Sequence, residues 1–181
     1  MKKAIKYTVF KTRWGYFGLA GTDKGLLRSH LPASRYGQVR CRLLAGLPLS
    51  RFQKDFFKLI QQQIAVYFEG SFVSFSKNIP LELDGFSDFV RLVLTACRDI
   101  TFGQTTSYGE LAKKLGRPAI SRAVGGALAK NPLPLIIPCH RVVCRDGKIG
   151  GFSTPGGKTI KKRMLELEQK ALSSKFSKIF C

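Results

Sequence analysis

The chain has 181 residues, 44% of them hydrophobic, with 31 basic side chains against 11 acidic ones and a formal net charge of +20. That length can bury a core without covalent staples, and five cysteines, an odd number, exclude a complete disulfide framework and suit a reducing compartment. The charge predicts attraction to a polyanion, nucleic acid first, with a solvated basic surface as the plain alternative.

No apolar run approaches the length of a membrane span, and Lys6 interrupts the only apolar stretch near Met1, so no signal peptide is expected. A soluble intracellular protein follows, with no membrane partner. The charge is not confined to a tail. Residues 1–85 carry 14 basic and 5 acidic side chains, and residues 86–181 carry 17 and 6.

In chain order, KYTVFKTRWGYFGLAGTDKGLLRSHLP alternates short apolar runs with Gly and Asp turns. It predicts two or three antiparallel strands with GTDKG as a hairpin turn. In RFQKDFFKLIQQQIAVYFEG, the residues Phe52, Phe56, Ile60, Ile64 and Phe68 recur at helical spacing and predict one amphipathic helix ending at Gly70. IPLELDG reads as a short strand or linker. Pro80 and Gly85 mark a domain junction, giving an amino-terminal domain over 1–85 and a second over 86–181.

The second half is helical. FSDFVRLVLTACRDI predicts a helix capped by Ser87 or started by Phe86. SYGELAKKLGRP predicts another, with Ser107 and Glu110 as a capping box and Gly116 and Pro118 as its end. A four-residue turn leads to AISRAVGGALAKN, a third helix that stops at Asn131 and Pro132. Two short helices joined by a Gly-containing turn in a basic protein read as helix-turn-helix, against the alternative of an ordinary helical hairpin.

That third helix is nearly bare. Ala123, Gly125, Gly126, Ala127 and Ala129 leave it few side chains, although each interior glycine costs about 1 kcal/mol relative to alanine. Something must therefore approach it closely, either a neighbouring helix or DNA. A dressed helix is roughly 10–12 Å wide, whereas the minor groove is about 6 Å wide. A stripped helix suits that groove once the groove widens. Arg122 is its one long polar side chain near the start, so it is able to bind DNA and poor at reading sequence.

The segment IIPCHRVVCRDGKIGGFS then places Cys139 beside Pro138, His140 and Arg141, in a chain whose only other histidine is His30. Cys139 and Cys144 are too far apart for paired zinc ligands, and a buried small hydrophobe is the plain reading of a lone cysteine. As a nucleophile, Cys139 needs its thiolate. A free thiol titrates near about 8.5, and His140, Arg141 and the local positive field are expected to lower that. Adjacent side chains point apart, so a bridging water is expected between thiol and imidazole. A carboxylate should orient the histidine, with Glu166 and Glu168 as candidates. Leu135, Ile136 and Ile137 read as a buried strand or strand-like loop.

TSYGELAKKLGRPAISRAVGGALAKNPLPLIIPCHRVV, followed by GKIGGFSTPGGKTIKKRMLELE, closely resembles the O6-alkylguanine-DNA alkyltransferase family, the methylated-DNA–protein-cysteine methyltransferases, over Phe86 to Glu168. RWGYFGLAGTDKGL resembles that family's strand hairpin. The resemblance implies an α/β protein. An amino-terminal ribonuclease-H-like α/β domain would precede a helical carboxy-terminal domain with a winged helix-turn-helix and the active site. It implies a single-turnover DNA-repair methyltransferase acting on double-stranded DNA that contains O6-alkylguanine. The protein would be a monomer without cofactor or metal, in the cytoplasm, or in the nucleus of a eukaryote.

The resemblance assigns residues as follows. Cys139 is the alkyl acceptor, and His140 acts as base through a water. Glu168 orients the histidine, once a two-residue insertion near Thr154 and Pro155 is allowed for. Arg122 fills the stack left by the flipped guanine, and Tyr108 contacts that base and helps rotate its phosphate. Asn131 is the hinge between the bare helix and the reactive segment. Ser121, Ala123, Gly125 and Gly126 face DNA. Val142, Ser153 and Lys161 line the guanine pocket, where Pro134 and Gly150 keep the wall small enough for bulky alkyl groups. Three rival readings stand beside it. A non-catalytic alkylguanine-binding relative would lack the acceptor cysteine. A helix-turn-helix regulator would carry base-reading side chains. A cysteine hydrolase does not fit the adjacent Cys–His pair or the charge.

Overall fold

The computed structural model describes residues 4–47 and 49–177. They form a mixed α/β fold in two compact units, Met1–Leu83 and Asp84–Cys181, where the sequence reading put the junction after residue 85.

In the first unit, the alternating apolar runs become β1 (Ile5–Thr12), β2 (Gly15–Thr22) and β3 (Gly25–Ala33), an antiparallel meander. GTDKG closes the second hairpin, with Thr22 opposite Gly25. A short strand, β4 (Ser50–Phe52), pairs parallel to β1 and gives the order β3-β2-β1-β4. Alternate residues of β2 point to opposite faces. Gly18 faces the helix α1 (Tyr36–Leu44), where a Cβ would press on Val39 and Leu43 at 2.9 Å. Phe17 faces the helix α2 (Lys58–Phe68), its ring 6.0 Å from that of Phe68. The strand is therefore covered on both sides.

Two features differ from the sequence reading. The helix α1 goes unannounced because only Val39 and Leu43 are buried in it, too few to set a period. The helix expected from Phe52 starts instead at Lys58. Phe57 adopts a left-handed conformation, φ 53°, which ends any helical run before it. Phe52 lies on the edge strand β4, half-exposed, edge-on to Tyr7 at 5.6 Å.

In the second unit, α3 (Asp88–Arg98) begins where the Ser87 hydroxyl accepts from the Val90 N–H. A two-residue strand, β5 (Thr106–Ser107), runs into α4 (Tyr108–Lys114), whose capping box is complete: Ser107 Oγ accepts from Glu110 N, and Glu110 accepts from Ser107 N. Gly116, at φ 71°, turns the chain out of α4. A 3-10 turn over Pro118–Ile120 precedes α5 (Ser121–Ala129), which starts two residues later than expected because Pro118 leads the tighter turn. A second 3-10 turn, Cys139–Arg141, runs into β6 (Val142–Val143), and α6 (Gly157–Ser177) follows. The helices α3, α4 and α5 pack on one another, and Val93, Leu94, Leu111, Val124 and Leu128 are among their buried residues. Among the described residues, no helix is long and apolar enough to cross a membrane.

Candidate active site

The pair β5 and β6 brings the site together. Thr106 lies opposite Val142 and Ser107 opposite Val143 in a parallel register. Tyr108 follows directly after β5, and the Cys139–Arg141 turn directly precedes β6. Two segments thirty residues apart in sequence thus converge.

Of the two readings of the approach to Cys139, strand or strand-like loop, the structure has the loop, a buried turn. Leu135 sits at φ 79°, unusual for a side chain with a Cβ, and reverses the chain so that Pro134 bridges to Ile137. Asn131 holds this turn. Its Oδ1 accepts from Leu133 N at 3.0 Å, and its Nδ2 donates to Ile137 O at 2.9 Å and to Cys139 Sγ at 2.9 Å. One amide therefore ties the end of α5 to both the loop and the thiol.

Behind the thiol lies a buried charged cluster. His140 and Glu168 are fully buried, with Nε2 of the ring 2.8 Å from Glu168 Oε1. Burial alone would raise the Glu168 carboxyl. Hydrogen bonds from His140 and Arg141, the Arg141 charge and, once the ring is protonated at low pH, the His140 charge outweigh it and hold the group at about 2. An ionised carboxylate only accepts, so Nε2 carries the proton. Burial lowers the histidine's own pKa, only partly offset by Glu168, so the ring is neutral. Its Nδ1 is buried and has no hydrogen-bond partner among the described residues. That leaves one bare acceptor nitrogen where the sequence reading expects a bridging water. Of the two carboxylates considered, Glu166 faces solvent, 3.8 Å from Lys162.

The thiol itself departs from expectation. Burial raises the Cys139 pKa, and the Asn131 hydrogen bond and the charge of Lys161 do not offset it. The local positive field is weaker than desolvation in a residue only 7% exposed. Cys139 thus rests as a thiol and needs a base.

Cys139 opens onto a cavity of about 410 Å³, within the range of small-ligand sites. Tyr108, Gly125, Leu128 and Ala129 line it together with Gly151, Phe152 and Ser153. The Ser153 hydroxyl donates to Ala129 O at 2.8 Å and ties the loop to the end of α5. Burial, aided by nearby thiols, raises the Tyr108 phenol, which stays protonated. The other expected pocket residues lie off the wall. Lys161 is buried behind it, donating to Val142 O at 2.6 Å and Gly151 O at 3.2 Å, with its ammonium near the rings of Tyr108 and Phe152. Val142 contributes its carbonyl to that lysine and is itself buried. Gly150 abuts the Tyr108 hydroxyl and Cys144 Sγ. Pro134 is within the buried turn.

On α5, Arg122, Ala123 and Gly126 are exposed, while Ser121 and Gly125 are half-buried. A Cβ on Gly125 would meet only Tyr108, at an ordinary 3.7 Å, and one on Gly126 would meet nothing within 4 Å. Packing within this unit therefore does not require the glycines. Arg122 has no ion-pair partner among the described residues.

Several site residues carry no warning in the sequence. Phe152 was legible only as a neighbour of Ser153. Arg141 forms a forked ion pair with Glu168, and its place next to His140 was the one hint. Gly103 donates its N–H to Glu168 Oε2 at 2.8 Å, and nothing in TFGQ signals that.

Residues 88–170 match the family described as 6-O-methylguanine DNA methyltransferase, DNA binding domain. The chain is 34% identical to a methylated-DNA–protein-cysteine methyltransferase of Methanosarcina acetivorans, over 90% of this chain and 97% of that one. It is 41% identical to one of Mycolicibacterium paratuberculosis, over 92% and 93%. Among solved structures, Mycobacterium tuberculosis OGT in complex with DNA superposes with a TM-score of 0.76 at 30% identity, covering 92% of this chain and 94% of that one.

Proposed function

The chain belongs to the methylated-DNA–protein-cysteine methyltransferase family, a DNA-repair family that transfers an alkyl group from DNA to a cysteine, and on that premise we propose that Cys139 takes the alkyl group from O6-alkylguanine in duplex DNA. The observation that carries this is the thiol on the cavity wall, hydrogen-bonded to Asn131, with a neutral His140 held by Glu168 next to it in the chain.

The steps follow from those groups. The alkylated guanine turns out of the helix into the cavity, at a cost of a few kcal/mol that is smallest for a damaged pair. Arg122 enters the stack in its place, and Tyr108 meets the base and its phosphate. His140 Nδ1 takes the thiol proton through a water, and Glu168 stabilises the imidazolium. The sulfur attacks the alkyl carbon as the carbon–oxygen bond breaks. The electron pair stays with guanine, which takes up a proton. A thioether has no carbonyl for water to attack, so the protein is spent after one transfer. Asn131 links α5 to the thiol as the hinge. Ser121, Ala123, Gly125 and Gly126 face the groove, and Val142, Ser153, Lys161, Pro134 and Gly150 shape the pocket from the wall or behind it. No metal or cofactor enters these steps.

The domain reading goes with it. The strand order β3-β2-β1-β4, with β4 parallel to β1, supports a ribonuclease-H-like domain over 1–85. The capped α4, the turn and α5 support a winged helix-turn-helix within 86–181. The protein acts as a monomer in the cytoplasm, or in the nucleus if its host is a eukaryote.

Intact mass after incubation with a methylated duplex tests this. The wild-type protein and Cys144→Ser should each gain one methyl group, and Cys139→Ser should gain none while still binding the duplex. Methylation of Cys139→Ser, or its loss in Cys144→Ser, overturns the assignment.

A further inference from the structure

A carboxylate buried on α6 needs counter-charge and fixed donors, or its burial destabilises the fold. Glu168 has both, and most come from Arg141. The guanidinium donates from Nε to both carboxylate oxygens, at 3.2 and 3.0 Å, and from Nη2 to Oε1 at 3.0 Å. Gly103 N–H takes Oε2 at 2.8 Å, and His140 shares Oε1. The guanidinium is itself fixed. Its Nη1 donates to Ile100 O at 2.7 Å, and its Cζ lies 5.7 Å from the centre of the Phe102 ring. Residues 100–103, after the end of α3, therefore form a seat for Arg141, and Gly103 adds its own bond to the carboxylate. Gly103 sits at φ 74°, and a Cβ there would collide with Leu172, so the seat is closely fitted to α6.

The consequence falls on His140. A carboxylate that faced the imidazole alone would draw a second proton onto the ring, and a doubly protonated ring cannot act as a base. A carboxylate shared with a guanidinium draws it less. We propose that Arg141 is a positioning residue of the transfer reaction: seated on residues 100–103, it fixes Glu168 and so keeps His140 in the neutral form, protonated at Nε2 and bare at Nδ1. This rests on the repair reading only for its link to catalysis. Among the described residues, the other charged or titratable groups around the cluster are Lys161 on α6, Cys139 in the turn and Cys97 on α3. Lys161 also opposes a second proton on His140, so removal of Arg141 should weaken the effect without erasing it.

The chain has two histidines, which makes the test direct. Long-range proton–nitrogen NMR of the substrate-free wild type at pH 7 should show both imidazoles neutral and in opposite tautomers. His140 should be protonated at Nε2. His30 should be protonated at Nδ1, which lies 2.6 Å from Leu31 O. In Arg141→Met the His140 pattern should move toward the doubly protonated form, and the acid limb of the single-turnover rate profile should shift to higher pH, with a rate at pH 7 at least tenfold lower. Arg141→Lys should restore part of both. Should Arg141→Met fail to fold, Phe102→Leu, which removes the ring from the seat, should shift the same limb in the same direction. A wild-type His140 that is doubly protonated, or protonated at Nδ1, overturns the proposal. So does a folded Arg141→Met protein with an unchanged tautomer and profile. Failure of the repair reading appears separately, as wild-type Cys139 left unalkylated, because the tautomer is read without substrate.

Discussion

Replacing Glu168 with glutamine keeps the shape and removes the charge. In the wild type the carboxyl titrates at about 2, against 4.5 for an ordinary glutamate. Above pH 4.5 that difference contributes about 3 kcal/mol of stability. A group whose pKa is depressed by folding loses its contribution as pH falls, here between 4.5 and 2. Removing one partner of a buried ion pair costs a similar roughly 3–5 kcal/mol. In Glu168→Gln the Arg141 side chain, 6% exposed, keeps its charge without the partner. Urea unfolding followed by circular dichroism measures the loss. At a slope of about 2 kcal/mol per molar, the midpoint at pH 7 should drop by about 1.5 M. Glu166→Gln, on an exposed pair, should stay within about 0.5 kcal/mol of wild type. The gap between wild type and Glu168→Gln should narrow as the pH is lowered toward 3. A pH-independent gap, a loss under 0.5 kcal/mol, or an equal loss in Glu166→Gln would refute the reasoning.

Gly126→Leu should leave the fold intact, because no atom beyond its own helix backbone and chain neighbours lies within 4 Å of the new Cβ, and should raise stability by up to about 1 kcal/mol through helix propensity. DNA affinity should fall at least tenfold, measured by fluorescence anisotropy; unchanged affinity would take α5 off the DNA. Arg122→Ala should slow transfer from alkylated duplex at least tenfold and leave transfer from free O6-benzylguanine within twofold, measured by rapid quench. Equal slowing of both would give Arg122 another role.

Much of the fold was legible because local signals agreed with it. The capping box at Ser107 and Glu110, the Ser87 cap and the GTDKG turn each depend on neighbours within four residues. The elements that were missed depend on distant partners. Nothing near Val39 and Leu43 reveals that Gly18 makes room for α1. Phe52 keeps helical spacing with Phe56, yet it pairs with β1 as an edge strand because Phe57 breaks the run. The site divides in the same way. Cys139, His140, Asn131 and Tyr108 lie within or beside recognisable motifs. Arg141 and Gly103 bind Glu168, which is 27 and 65 residues away from them in sequence. The resting state of the thiol was misjudged because positive neighbours can be counted from sequence, whereas the burial that outweighs them cannot.

The central claim is that one chain removes one alkyl group and keeps it on Cys139. The direct measurement is a titration of a fixed amount of protein with increasing excess of O6-methylguanine duplex, followed by intact mass and peptide mapping. Product should stop at one methyl per active chain however much duplex is added, with the methyl on the peptide that contains Cys139. Product beyond that ceiling, or a methyl found on Cys144, Cys97 or Cys41, would contradict it.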